Sequence, residues 1–264
     1  MIHITSRDNS LLRQARAVRD GKVDEFIFVE GLRLCEEALR SSLAIDAVIV
    51  SEELAQKEKA ASLLAKLVGK SIRTATVSEK LLESISYTKT PQGIVVLACK
   101  PDSRAEHFSA IQQGNALIVV MHRINNPVNV GAILRTAEAA GATGAIATQQ
   151  TSDPFSPKSL RGAMGSAFRL PIWFGPTYQE AVGWCSERGI QTICADVHSP
   201  TSYDEVDWRQ PSALILGPES SGLSRDEIDL ADQAVRIPMQ AHAESLNVAV
   251  AAGVLLYEAA RVRR

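Results

Sequence analysis

The 264-residue chain has only four cysteines, at positions 35, 99, 185 and 194. No two form a CxxC pair, and each lies in an apolar stretch, where a reduced thiol behaves as a small hydrophobe. That spacing disfavours both structural zinc and a disulfide framework, so no metal is expected. Long hydrophobic runs are also missing. The longest, "ALIVVM" at 116–121 and "VAVAAGVLL" at 248–256, fall well short of the roughly 20 residues a membrane span needs. The N-terminal "MIHITSRDNSLLRQARAVRDG" alternates polar and apolar residues and lacks the apolar core of a secretory signal. The expectation is a cytoplasmic protein with no membrane partner. Neither sign of charge dominates: the net charge of −2 argues against a protein that coats nucleic acid through its overall field. GxSxG, HExxH and GxGxxG are absent, and the five histidines (3, 107, 122, 198, 242) do not cluster. A lone histidine is more often structural or exposed than catalytic.

What remains is an ordinary globular composition, 45% hydrophobic and 22% charged, long enough for two domains. Residues 8–20 read as a basic amphipathic helix. Strands "EFIFVEG", "IDAVIVS", "SIRTATVS" and "QGIVVLACK" then alternate with helices "LRLCEEALRSS", 52–68 and 79–86, which makes residues 1–100 a compact α/β domain. The polar stretch 101–115 reads as a linker with one helical turn. Strands "ALIVVMH", "GAIATQ", "FRLPIWF", "IQTICAD", "ALILG" and "AVRIPM" with intervening helices make 116–264 a second α/β domain with a mostly parallel sheet. Ligands bind beyond the carboxyl ends of such strands. The loops after "ALIVVMH", "ALILG" and "AVRIPM" are therefore where chemistry is sought.

The first of these loops leads into "NNPVNVGAILRTAEAAG". There Asn129 reads as the N-cap, and Arg135, about two turns on, has no acid four residues away to pair it. A snorkelling arginine on a capped helix is the plainer alternative. In "LGPESSGLS", Gly217 and Gly222 have P-loop separation without the lysine, and Glu219 would repel phosphate. These glycines either let a backbone approach a flat, mostly neutral ligand or form an ordinary turn. "HAESLNVAVAAG" places Ser245 and Asn247 at the mouth of a C-terminal helix, behind Met239 and Gln240. One N-cap suffices, so one polar group has no structural job. "DPFSPKSLRGAMGSAFRLP" carries Lys158, Arg161 and Arg169 among serines, either for phosphodiester contacts or as a solvated face.

Together, "NPVNVGAILRTAEAAG", "LILGPESSGLS" and "IPMQAHAESLNVAVAAGVLLYEA" resemble the three ordered motifs of the SpoU (TrmH) family of SPOUT RNA 2′-O-ribose methyltransferases. The N-terminal "FIFVEGLRLCEEAL" and "TPQGIVVL" are similar to the substrate-binding domain, related to ribosomal protein L30e, that many ribosomal-RNA members carry. The resemblance implies a C-terminal trefoil knot in the 116–264 domain, a homodimer, and S-adenosylmethionine as cofactor. It implies that backbone at Leu216, Gly217, Ile237, Met239 and Leu246 holds the cofactor. Asn129, Arg135, Glu219, Ser245 and Asn247 match the polar signature positions of the active site. The family's arginine, here Arg135, is a proposed base; holding the 3′-phosphate and stabilising an alkoxide is an easier task for a guanidinium.

The expected function is S-adenosylmethionine-dependent 2′-O-methylation of RNA, ribosomal RNA favoured. The alternatives are a transfer-RNA methyltransferase and a non-catalytic RNA-binding assembly factor. The expected RNA face combines Arg7, Arg13, Arg16 and Arg19 with Lys158 and Arg161.

Overall fold

The computed structural model describes residues 1–58, 63–64, 72–108, 116–240 and 244–263. These fall into two compact units, Met1–Pro101 with Phe155–Arg169, and Asp102–Pro154 with Leu170–Arg264.

The first unit is built on a five-stranded mixed sheet. Its strands are β1 (Ile2–Ile4), β2 (Phe26–Glu30), β3 (Ile45–Ser51), β4 (Arg73–Val77) and β5 (Ile94–Cys99), in the order β1-β4-β3-β5-β2. β1, β4 and β3 run parallel, while β5 is antiparallel to both β3 and β2. The helix Ser10–Arg19 starts where the Asn9 side chain accepts from the Leu11 amide, and it buries Leu11, Leu12, Ala15 and Val18. Those four sit at helical spacing and join Phe28, Ile49 and Leu97 in one core cluster. Within the helix expected over 52–68, a first short helix ends at Ala55, where the Lys57 amide turns onto the Leu54 carbonyl, and Glu58, Leu63 and Leu64 are helical again. Positions 59–62 and 65–71 of that stretch and of the strand after it lie outside the described residues.

Residues 155–169 pack with this unit although sequence order places them in the second domain. The helix Pro157–Ala163 lies against β2, and Arg169 pairs with Glu37 at 2.6 Å. Gly165 (φ +96°) is required here, because a Cβ would stand 2.9 Å from that of Glu37.

The second unit is a six-stranded, wholly parallel sheet. Strands β6 (Leu117–Met121), β7 (Gly144–Ala147), β8 (Ile172–Phe174), β9 (Gln191–Ala195), β10 (Ser212–Leu216) and β11 (Gln233–Val235) are ordered β11-β9-β10-β6-β7-β8. The chain leaves β6 toward β7 on one side and leaves β10 toward β11 on the other, which makes the β6/β10 boundary the topological switch point. "FRLPIWF" is a strand only over its last three residues: Ser166–Phe168 forms a 3₁₀ turn, and Pro171 has no amide for a ladder. β11 is likewise shorter than expected and ends three residues before Pro238. The stretch expected as a linker contains the one-turn helix Ala105–Phe108, but Phe108 is buried against Trp173 and Trp184 in the core. Positions 109–115 lie outside the described residues. The final helix Val248–Val262 packs on the helix Pro127–Ala139 and on β10.

Candidate functional site

At the switch point the His122 amide, just past β6, donates to the Leu216 carbonyl at the end of β10 (2.9 Å). This bond brings the loops after the two strands together. The helix after β6 is capped by Asn126, not by Asn129: the Asn126 side chain accepts from the Val128 amide, and Pro127 occupies the first turn, where a missing N–H costs nothing. Asn129 is thereby released from capping and lies buried inside the first turn.

Its Nδ2 donates to Glu219 Oε1 at 2.6 Å, and its Oδ1 accepts from Asn247 Nδ2 at 3.3 Å. A carboxylate can only accept here, which fixes the Asn129 amide orientation and in turn that of Asn247. The Asn247 Oδ1 then accepts from the Ala249 amide (3.0 Å), so this one residue both caps the last helix and closes the polar string. Asn247 holds the structural job; Ser245 is exposed and makes no hydrogen bond among the described residues. Arg135 is exposed on the helix Pro127–Ala139, six positions beyond Asn129, without an ion pair or hydrogen bond among the described residues. Six positions turn about 120° from Asn129 on a 3.6-residue helix, so the structure joins Asn129, Glu219 and Asn247 but leaves Arg135 and Ser245 outside their string.

Gly217 is required by its own loop: a Cβ would sit 2.8 Å from Leu223 Cγ and 3.0 Å from the Leu223 amide nitrogen. Gly222 (φ +65°) closes the same turn through its amide to the Pro218 carbonyl. The glycine spacing thus reports turn closure. Beyond β11, the amides of Ile237, Met239 and Leu246 have no hydrogen-bond partner among the described residues.

Sequence reasoning missed His122, Arg123 and Glu227. His122 is buried and bonded on both ring nitrogens, to Thr148 (2.9 Å) and Glu227 (3.0 Å), while Arg123 meets Glu227 at 2.8 Å. Burial pushes the imidazole below its ordinary pKa of 6.5, assisted by the Arg123 charge and opposed by Glu227. The visible signal was the capping box S-x-x-E at 224–227, which starts the unexpected helix Arg225–Leu230. His242 lies outside the described residues.

In the first unit, Arg7 and Arg13 are exposed. Arg16 and Arg19 are instead structural ties: Arg16 donates to the Arg7 carbonyl (2.8 Å) and Arg19 to the Ser84 and Ser86 carbonyls (3.3 and 3.2 Å). Lys158 and Arg161 are exposed and belong to this unit as well. Among the described residues no group of histidine, cysteine, aspartate and glutamate could hold a metal ion. No described helix is long and apolar enough to cross a membrane.

A family model described as the SpoU rRNA Methylase family matches residues 116–257, and one described as the MRM3-like substrate binding domain matches 12–96. The chain is 31% identical over 261 residues to an uncharacterized tRNA/rRNA methyltransferase of Synechocystis sp., a match covering 98% of this chain and 93% of the relative. Among solved structures, an AdoMet-bound rRNA methyltransferase from Sinorhizobium meliloti is similar with a TM-score of 0.85 at 30% identity, covering 98% of this chain and 97% of that one. An RNA 2′-O ribose methyltransferase is similar with a TM-score of 0.82 at 31% identity, covering 99% of each chain.

Proposed function

The chain belongs to the SpoU rRNA methylase family, and from that premise we propose that it transfers a methyl group from S-adenosylmethionine to a ribose 2′-hydroxyl of RNA, ribosomal RNA in particular. The observation that carries this reading is the hydrogen-bonded string of Asn129, Glu219 and Asn247 at the switch point of the parallel sheet, with Arg135 unpaired among the described residues on the same helix as Asn129. The 2′-O assignment and the cofactor are supported by the two solved relatives. Ribosomal RNA is supported by the description of the SpoU rRNA Methylase model over 116–257 and by the Sinorhizobium enzyme.

The residues fit the cofactor. Amides at Ile237, Met239 and Leu246 that are unbonded among the described residues, together with backbone at Leu216 and Gly217, are the donors and acceptors an adenosine and an amino-acid moiety need. When bound, S-adenosylmethionine supplies an electrophilic methyl. The protein's part is to orient the ribose hydroxyl and ease loss of its proton. Arg135, a cation free to reach a ligand, holds the phosphate 3′ of the target and stabilises the oxygen as it gains charge. Ser245, exposed beside the cap of the last helix, faces the same ligands, and the Asn129–Glu219–Asn247 string keeps the two helix starts in register.

A trefoil knot and a homodimer complete the reading. The knot is supported by β11 lying at one sheet edge while the final helix packs on β10 near the middle. Val128, Leu246, Val250 and Tyr257 are large apolar side chains left exposed on or beside the two packed helices, a surface suited to a second copy of the chain. On this reading the enzyme works in the cytoplasm.

The test is transfer of labelled methyl from S-adenosylmethionine to unmodified total RNA, with ribosomal and transfer fractions separated and product nucleosides analysed. A 2′-O-methyl nucleoside from the ribosomal fraction is the expected result. Label in transfer RNA overturns the substrate assignment alone, and label on a base overturns the reaction.

A further inference from the structure

Two adjacent residues grip both ends of the turn that carries Gly217 and Glu219. The His122 amide holds the Leu216 carbonyl, where the turn begins. The His122 and Arg123 side chains hold the Glu227 carboxylate, just past its end. Glu227 Oε1 accepts from His122 Nε2 (3.0 Å) and Arg123 Nη2 (2.8 Å), while Oε2 accepts from Arg123 Nη2 (2.9 Å) and from the Ser224 amide (2.7 Å). Because a carboxylate only accepts, Nε2 carries the imidazole proton and Nδ1 accepts from the Thr148 hydroxyl (2.9 Å). Tyr178 donates its hydroxyl to the Glu227 carbonyl (2.8 Å), with its ring centroid 4.7 Å from that of the imidazole.

The backbone records a cost for this arrangement. Arg123 sits at φ +53°, a left-handed conformation uncommon for a residue with a side chain, and its buried Nε has no partner among the described residues. Such a conformation persists only where surrounding bonds over-determine it. The order hydroxyl–imidazole–carboxylate superficially matches a nucleophilic triad, but Thr148 is fully buried and can meet no substrate.

We propose that His122, Arg123 and Glu227 are positioning residues that clamp the 217–224 turn, so that backbone at Leu216–Gly217 and the Glu219 carboxylate meet cofactor and Asn129 in one fixed geometry. The proposal rests on the methyl-transfer reading for its consequence, not for its existence.

The test pairs binding of S-adenosylhomocysteine by calorimetry with hydrogen exchange over residues 217–224, in the full chain and in Glu227→Gln. Glutamine keeps the shape and can still cap Ser224, but it removes the charge that holds Arg123 and His122. The expected result is a cofactor Kd raised about tenfold, roughly what one charge-assisted hydrogen bond is worth, with faster exchange in the turn and unchanged RNA affinity. KM for the cofactor rises while kcat at saturation changes less. Should Glu227→Gln fail to fold, Arg123→Gly serves, because glycine takes the left-handed backbone freely and loses only the clamp. Wild-type exchange in the turn and wild-type cofactor affinity in a folded variant overturn the proposal. If the unaltered chain itself binds no S-adenosylhomocysteine, the methyl-transfer reading falls, while the exchange comparison still decides the clamp.

Discussion

Asn129→Asp puts a second carboxylate where an amide N–H now meets Glu219 Oε1 at 2.6 Å, replacing an attraction with a repulsion. Two unit charges about 4 Å apart repel by about 4 kcal/mol at an effective dielectric of 20. Asn129 is buried but Glu219 is exposed, so solvent screening cuts the penalty to about 2 kcal/mol. At 1.36 kcal/mol per unit, that raises the introduced carboxyl about 1.5 units above its ordinary value near 3.9. Once protonated, the new side chain donates to Glu219 as the amide does, and the string re-forms.

The sign follows from proton binding. A group whose folded-state pKa is raised binds its proton more tightly in the folded chain, so the variant loses stability as pH rises from about 4 through about 5.5 and is level above that. Thermal unfolding of wild type and variant from pH 4 to 8 measures it. At pH 7 the variant melts lower by about 4–8 °C, and the gap closes toward pH 4. A gap of the same size at every pH, or none at pH 7, refutes the assigned hydrogen bond between Asn129 and Glu219.

Arg135→Ala and Arg135→Lys are each expected to lower methyl transfer by about 10²-fold or more with cofactor affinity and melting temperature unchanged, because the side chain is exposed and bonded to nothing described; normal turnover removes Arg135 from the site. Charge reversal at Arg7 and Arg13 together is expected to weaken RNA binding and reduce the slope of log affinity against log salt by about 1.5, with cofactor affinity intact; filter binding across a salt series reads it. His122, faced by Glu227, Arg123 and Tyr178, is held below 6.5 by burial. The unfolded chain therefore takes up its proton first, and stability falls as pH drops below about 6.5 toward the lower folded value; His122→Asn, compared over pH 5 to 7.5 by thermal unfolding, removes that slope.

The alternation of strand and helix was legible because it rests on local patterning: 47–50, Leu117–Met121 and 213–216 are buried apolar runs. What failed locally failed for tertiary reasons. "FRLPIWF" has strand composition throughout, but its first half packs as a turn in the other unit, beside Glu37. Phe108 lies in a polar stretch and is buried because Trp173 and Trp184 receive it. The three motifs single out Asn129, Glu219 and Asn247, which the structure joins by hydrogen bonds, but they do not show those bonds. Asn126 and Asn129 are both credible caps until Pro127 is placed in the first turn. Nothing local marks His122, whose partners lie 26 and 105 positions away.

Three side chains explain why local signals find this site without explaining it. Each stands at a helix start and divides its polar atoms between two tasks. Asn247 gives Oδ1 to the Ala249 amide and Nδ2 to Asn129, 118 positions away. Glu227 gives Oε2 to the Ser224 amide and Oε1 to His122. Asn129, spared capping by Asn126, spends both atoms on distant partners. Helix starts need short polar side chains, so capping patterns mark where such groups must stand, and the atom left over after capping can reach across the fold. The cap is written in neighbouring residues; the second bond exists only once parallel strands bring 122, 129, 219, 227 and 247 to one end of the sheet. A capping residue that also bonds across the fold should therefore lose more on truncation than one that only caps, which sets Asn247→Ala against Asn9→Ala, the pure cap of the first helix, as the comparison that separates the two duties.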